Sequence, residues 1–191
     1  MSLTADAKAE LRAALRRRRR ALAAEAPDAP DEAAGRLPLD ALPPFAAVAG
    51  YHPLGGEIDP GPVLRRFVEA GARLALPVAH PDAPLIFREA RADDVTEPDA
   101  FGIPSPPATA PVIAPDIVVA PVLAFDRQGG RLGQGGGHYD RTLAALRAAR
   151  PLFVIGLAYA GQEIEAAPME PHDQRLDAIL TEKGYIAVRK G

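Results

Sequence analysis

The residues Arg131 to Arg141, RLGQGGGHYDR, gather the groups that handle an anion. Glycines at 133, 135, 136 and 137 allow positive φ and close backbone approach to a bound group. Successive N–H groups in such a stretch converge on an anion as a nest. Arg131 and Arg141 bracket the run with positive charge, and Tyr139 adds a flat ring with a hydroxyl. Phosphate suits this set of groups. Both common phosphate patterns are nevertheless missing. A P-loop needs Lys followed by Ser or Thr, and this run has no lysine; a Gly-x-Gly-x-x-Gly fingerprint from Gly133 needs glycine at 138, where His138 stands. A glycine connection without a ligand is the competing reading, and the flanking Arg131, Tyr139, Asp140 and Arg141 weigh against it. Asp140 carries two readings of its own. It is placed to be the N-cap of a following helix, or to offer hard carboxylate oxygen to Mg²⁺ beside bound phosphates; position alone favours the cap.

Other chemistry is sparse. The chain has no cysteine, which removes disulfides, thiolate zinc sites and cysteine nucleophiles. His52, His80, His138 and His172 are scattered, and no two have the close spacing of a zinc helix or finger. A second cationic group stands at the far N-terminus. Lys8, Arg12 and Arg16 are four apart, which stripes one face of a helix. Residues 1–24 hold seven cations and two anions in a chain of net charge −3, so an arm of +5 sits on a body of −8. Such an arm suits an anionic partner. The run Arg16 to Arg20 lacks interleaved aromatics, and the sequence leaves open whether it meets ATP or only solvent; nucleic acid, bound through its phosphates, is not an expected partner.

These groups need elements to position them. The 191 residues correspond to one domain over 1–191, with residues 1–24 as a basic helix packed on it. That helix reads over 4–24, with Thr4 as N-cap, Asp6 in its first turn, and Leu11, Leu15 and Leu22 seating one face. FAAVAGYHP reads as a buried strand ending at Pro53, and Pro60 to Gly71 as a helix with Asp59 as N-cap and Pro60 in the first position. RLALPVA and LIFREAR are two short strands, residues 93–115 are irregular with an ordered turn at EPDAFGIPSP, and DIVVAPVLAF has the apolar, β-branched character of a central strand. His138 to Arg150 reads as a helix with Leu143 and Leu146 on one side, followed by the strands LFVIGLAY and YIAVR. Alternating strands and helices predict an α/β fold, a three-layer α/β/α arrangement with a mainly parallel, Rossmann-like sheet and an N-terminal helix. The glycine run then follows a central strand, where ligands sit in open α/β sheets. No apolar run approaches the ~18 residues of a membrane span and no signal-peptide pattern is present, so a cytoplasmic protein is expected, without a membrane partner.

APVLAFDRQGGRLGQGGGHYDRTL resembles the signature of the 5-formyltetrahydrofolate cyclo-ligase family, also called the methenyltetrahydrofolate synthetases. KAELR at 8–12, YHPLGGEID at 51–59, and IGLAYAGQ followed by HDQRLDAILTEKG are similar to further segments of that family, in the same order. The resemblance implies ATP-driven closure of 5-formyltetrahydrofolate to 5,10-methenyltetrahydrofolate, with Mg²⁺ as cofactor, ADP and phosphate as products, and small molecules as the partners. It implies that Lys8, Arg12 and Arg131 act on the ATP phosphates during catalysis. Leu132, Gly133, Gln134, Gly135, Gly136, Gly137, His138 and Tyr139 would complete the ATP cradle. Asp140 and Asp173 would hold Mg²⁺. His52, Glu57, Gly136, Gly137, His138 and Tyr139 would meet the folate. The family often carries two tyrosines after the third glycine, and His138 replaces the first of them here, which keeps a flat ring and removes a phenol. A monomer or weak homo-oligomer is expected. Another nucleotide- or sugar-phosphate-binding enzyme on the same type of fold is the alternative.

Overall fold

The computed structural model describes residues 5–91 and 95–189, so the expected N-cap Thr4 lies outside the described residues. Helix α1 spans Ala5–Glu25 and is followed by α2 (Ala29–Gly35), β1 (Ala47–Ala49), α3 (Gly61–Glu69), β2 (Arg73–Val78) and β3 (Ile86–Glu89). A small hairpin, β4 (Glu97–Pro98) and β5 (Pro104–Ser105), precedes β6 (Ile117–Pro121), β7 (Ala124–Phe125) and β8 (Arg131–Leu132). Helix α4 (His138–Ala149), β9 (Phe153–Leu157), β10 (Ala178–Thr181) and β11 (Gly184–Ala187) complete the described chain.

Seven strands form one sheet in the order β11-β10-β9-β6-β1-β2-β3. The four inner pairings are parallel and the two edge pairings antiparallel, which is the mainly parallel α/β sheet expected. The reason is visible in β6, the middle strand. Ile117 and Val119 pack on one face with Ala33 of α2 and with Val63 and Phe67 of α3. Val118 and Ala120 pack on the other face with Phe87 and with Leu143 of α4. Strand side chains alternate between faces, so a strand apolar at every position demands cover on both sides. Helices supply it, giving three layers.

Three local expectations are corrected. DIVVAPVLAF is not one strand. It leaves the large sheet after Pro121 and restarts as β7, which pairs with β8 in a separate two-stranded ribbon. The freed carbonyls of Val122 and Leu123 accept hydrogen bonds from Gln162 Nε2 at 2.8 and 2.9 Å instead of from a strand. Strand β1 stops at Ala49, well short of Pro53, and the neighbouring Gly50 lies so close to Leu64 that a Cβ there would meet its Cδ1 at 2.3 Å. Helix α3 begins at Gly61 with Pro60 in the cap position, while Asp59 Oδ1 still accepts the Gly61 N–H at 2.8 Å. The capping contact exists, one residue out of the expected place.

Helix α1 lies against this body as its leucines require. Leu11 and Leu15 pack with Leu123, Ala124 and Leu132, and Leu22 fits over Gly161, where a Cβ would stand 2.6 Å from Leu22 Cδ2. The expected turn in EPDAFGIPSP is the β4–β5 hairpin, tied by Asp99 Oδ1, which accepts the N–H groups of Phe101 and Ile103 at 2.8 and 3.0 Å.

Candidate active site

A cleft of about 770 Å³ opens beyond the carboxyl ends of β1, β2 and β6. That is where open α/β sheets place ligands. Every residue singled out in the sequence for phosphate, metal or folate lines this one cleft, although Lys8, Glu57, Arg131 and Asp173 are far apart in the chain.

The glycine run forms one wall. The detour of the chain through β7 and β8 delivers Arg131 and Leu132 to the cleft, and α4 begins at His138 immediately after the glycines. Gly137 occupies the cap position of α4 with φ 67°, and Gly135 has φ 106°. Among the described residues, none of the backbone amides of 133–137 donates to a protein acceptor. Unspent N–H donors at a helix N-terminus, with the positive end of that helix behind them, make an anion site. The cap role considered for Asp140 falls to Gly137. Asp140 sits in the first turn of α4, and its Oδ1 accepts from Arg131 Nη2 at 2.6 Å and from the Gln174 N–H at 2.8 Å. Arg131 is buried and also donates through Nε to Gln174 O at 3.0 Å. Leu132 is buried in the cluster with Leu15 and Leu123, so its side chain belongs to the core.

Helix α1 forms a second wall and grips the loop. Arg12 Nε donates to Gly133 O at 3.2 Å, and Arg16 Nε donates to Gln134 Oε1 at 2.9 Å. Lys8 Nζ is ion-paired with Glu170, a contact that holds the Glu170 carboxyl below the usual range, by hydrogen bond first and charge second. The expected cationic stripe is therefore real, and it faces protein acceptors at the cleft margin.

The loop beside α1 brings Glu57 to the cleft. Its carboxylate is held by Arg19 Nη1 at 3.1 Å and by the Leu54 N–H at 3.0 Å, with the side chain only 7% exposed. His52 is exposed at the rim. Tyr139 stands between the walls, its buried hydroxyl without a partner among the described residues. Burial raises its pKa, the Glu57 charge adds to the rise, and Arg131 partly offsets it. Tyr139 is thus a neutral phenol, able to donate or accept, and not a base. The His138 ring meets Phe101 edge-on with centroids 5.4 Å apart, and its buried Nε2 also lacks a partner among the described residues. The flat ring expected at 138 is present and stands beside the β4–β5 hairpin.

Asp140 and Asp173 both line the cleft. Asp173 Oδ2 accepts the Glu170 N–H at 2.7 Å, and its Oδ1 lies 3.6 Å from His172 Nε2. Among the described residues no group of three or more His, Cys, Asp or Glu gathers as a metal cage. Mg²⁺ commonly takes only one or two carboxylates and fills its remaining positions with water and substrate phosphate. Two partly exposed carboxylates beside an anion loop fit that donor set. The sequence alone did not single out Arg19 within its arginine run, gave no role to Glu170 or Tyr51, and did not place the β4–β5 turn at the cleft. One signal was available for Arg19: Leu15, Arg19 and Leu22 are spaced four and three apart, which places the arginine on the apolar stripe.

Fold and site together define an α/β protein whose cleft joins a loop of unspent amides at a helix N-terminus to a wall bearing a buried carboxylate. Comparison with known proteins narrows that class. The family model for the 5-formyltetrahydrofolate cyclo-ligase family matches residues 4–182. A 5-formyltetrahydrofolate cyclo-ligase of Mycolicibacterium smegmatis is 36% identical over 152 residues, covering 74% of this chain and 77% of that protein. The enzyme of the same name from Escherichia coli K12 is 32% identical over 175 residues, covering 87% and 96%. In three dimensions the 5,10-methenyltetrahydrofolate synthetase of Aquifex aeolicus superposes with a TM-score of 0.73 at 28% identity, over 96% of this chain and 94% of that one. The chain belongs to the 5-formyltetrahydrofolate cyclo-ligase family, and it is an enzyme of the ligase class. Among the described residues no helix is long and apolar enough to cross a membrane.

Proposed function

We propose that the chain converts 5-formyltetrahydrofolate to 5,10-methenyltetrahydrofolate, using ATP and Mg²⁺ and releasing ADP and phosphate. The observation that carries this reading is the set of unspent amides at 133–137, walled by Arg12, Arg16 and Arg131, in the same cleft as the Glu57 carboxylate. Family membership supplies the substrate class.

The formyl group on N5 is amide-like, and its oxygen leaves poorly. Transfer of the ATP γ-phosphoryl group to that oxygen turns it into a phosphate. N10 then attacks the formyl carbon, the C–O bond breaks, phosphate departs, and N10 gives up its proton. Phosphoryl transfer asks a protein for positioning and charge stabilisation rather than for a nucleophile. The roles follow from that demand. The loop amides and the positive end of α4 bind the phosphates, with Gln134 at the rim and Leu132 contributing backbone only. Arg12 and Arg131 stand beside the transferred group. Lys8 exchanges Glu170 for phosphate oxygen as ATP enters. Tyr139 and His138 offer hydroxyl and ring to the ligands at the junction of the two subsites. Glu57 accepts pterin N–H donors, with His52 at the same rim. Asp140 and Asp173 would hold Mg²⁺, which when bound neutralises phosphate oxygens.

Protein mixed with 5-formyltetrahydrofolate, Mg²⁺ and ATP is expected to develop the methenyl chromophore, with ADP formed in step. No chromophore together with no folate-dependent ADP would sink the reading.

A further inference from the structure

Helix α1 presents five arginines in a row, Arg16 to Arg20, and one of them differs from its neighbours. Arg17, Arg18 and Arg20 are exposed, whereas Arg19 is 3% exposed. Its guanidinium fork spans the loop 54–57. Nη1 donates to Glu57 Oε1 at 3.1 Å, and Nη2 donates to the carbonyls of Leu54 and Gly55 at 3.3 and 3.2 Å. Glu57 Oε2 in turn accepts the Leu54 N–H at 3.0 Å, so the carboxylate and its loop close on each other. The loop is pressed against α1: a Cβ on Gly56 would stand 3.4 Å from Arg20 Cγ.

Stability alone does not ask for an arginine here. Position 19 lies on the apolar stripe with Leu15 and Leu22, and replacing a buried ion pair with hydrophobic groups is often neutral or favourable. A planar fork does what an apolar side chain cannot: it fixes the rotation of one carboxylate and the path of two carbonyls at once. The carboxylate so fixed lines the cleft, and each of its oxygens keeps acceptor capacity beyond the bonds it already makes.

We infer that Arg19 is a positioning residue for substrate binding, holding the Glu57 carboxylate in the orientation that receives the N–H groups of the folate ring. The inference rests on the proposed folate role of Glu57. Among the described residues, every hydrogen bond that Arg19 makes falls on 54–57, and none on the glycine loop. The effect of Arg19 therefore belongs to the folate side and not to the nucleotide side.

Arg19→Lys keeps the charge and loses the fork. With Glu57→Gln and the double variant it makes a mutant cycle, read by the melting temperature, by the affinity for a non-hydrolysable ATP analogue without folate, and by KM and kcat for 5-formyltetrahydrofolate. Arg19→Lys is expected to raise KM about tenfold or more with kcat and analogue affinity nearly unchanged, and to add less than about twofold in the Glu57→Gln background. A folded Arg19→Lys with wild-type KM, or one equally harmful in both backgrounds, overturns the inference. Impairment by Glu57→Gln alone, with Arg19→Lys normal, refutes this inference and leaves the folate role of Glu57 standing. A wild-type KM in Glu57→Gln removes that role and the inference with it. If Arg19→Lys does not fold, Arg19→Met in the Glu57→Gln background replaces it. A KM equal to that of Glu57→Gln alone supports the inference there, and a further rise overturns it.

Discussion

Alanine placed in turn at Gly133, Gly135, Gly136 and Gly137 should separate backbone conformation from simple crowding. Gly135 has φ 106°, and the nearest atoms to a Cβ there belong to Arg12, the closest being Cζ at 3.5 Å, an ordinary contact. Space is available, so the cost is conformational: about 1–3 kcal/mol for a side chain in so sparsely populated a region. At about 1.4 kcal/mol per factor of ten, Gly135→Ala should weaken an ATP analogue by roughly 5- to 150-fold. The loop is exposed at 134–136, so it relaxes locally and the melting temperature should hardly move. Gly133 has no positive φ, and its Cβ would lie 3.6 Å from Arg131 Nη1, an ordinary contact. Its alanine variant should bind almost normally. At Gly136 a Cβ would approach His138 Nδ1 at 2.9 Å; the ring can swing, so an intermediate loss is expected. At Gly137, with φ 67° and a Cβ 2.7 Å from Arg141 Nη1, asparagine tolerates the left-handed conformation better than alanine. Gly137→Asn should therefore bind more tightly than Gly137→Ala, although both carry the same Cβ. Calorimetric titration with the analogue, paired with thermal melts, measures the series. Wild-type affinity in Gly135→Ala, or a larger loss at Gly133 than at Gly135, would refute the conformational argument.

Three further expectations concern the scaffold. Gln162→Ala strips the carbonyls of Val122 and Leu123 and the N–H of Tyr159 of their partner, and should cost about 2–4 kcal/mol in urea unfolding; a loss below about 0.5 kcal/mol would show that the strand break holds itself. Arg131→Met leaves the Asp140 carboxylate with the Gln174 N–H alone, and should cost about 2–4 kcal/mol, part of it recovered when Asp140→Asn is added; no recovery would mean that the arginine packs rather than pairs. Burial raises the pKa of Tyr51 and Tyr139 in the fold, while in the unfolded chain a phenol titrates near about 10. Their contribution is full below that pH and is lost as pH rises above it, because the unfolded chain releases protons that the fold retains. The slope should reach about 1.4 kcal/mol per pH unit for each phenol, and Tyr51→Phe and Tyr139→Phe should each flatten it; an unaltered slope would contradict the burial argument.

Much of the scaffold was legible before any coordinates. Helix α1, the sheet class and the apolar run of β6 follow from periodicity and composition, since a strand apolar on both faces must be covered on both. Element ends were less legible. DIVVAPVLAF has one uninterrupted composition, and nothing local to it announces that Gln162, some forty residues on, takes the carbonyls at which the strand breaks. Asp59 and Asp140 were both sensible caps by residue type. Pro60, next to Asp59, and Gly137, three residues before Asp140, took the cap positions, the latter with φ 67°.

The candidate site divides along the same line. Residue type and local order made the candidate anion loop legible: glycines before a helix leave amides free beside the positive end of α4, and the flanking charges point to an anion. Arg131, Tyr139 and Asp140 come with it because they are neighbours in sequence. Only tertiary structure decided what those neighbours do. Arg131 is turned onto Asp140, the Tyr139 hydroxyl is buried without a partner among the described residues, and His138 meets Phe101. The spacing of Leu15, Arg19 and Leu22 marks Arg19 among five consecutive arginines, but tertiary structure alone set it on Glu57. Charge is a property of composition, but burial and partner are properties of the face a helix turns to its neighbours, and for α1 the packing of Leu15 and Leu22 chose that face.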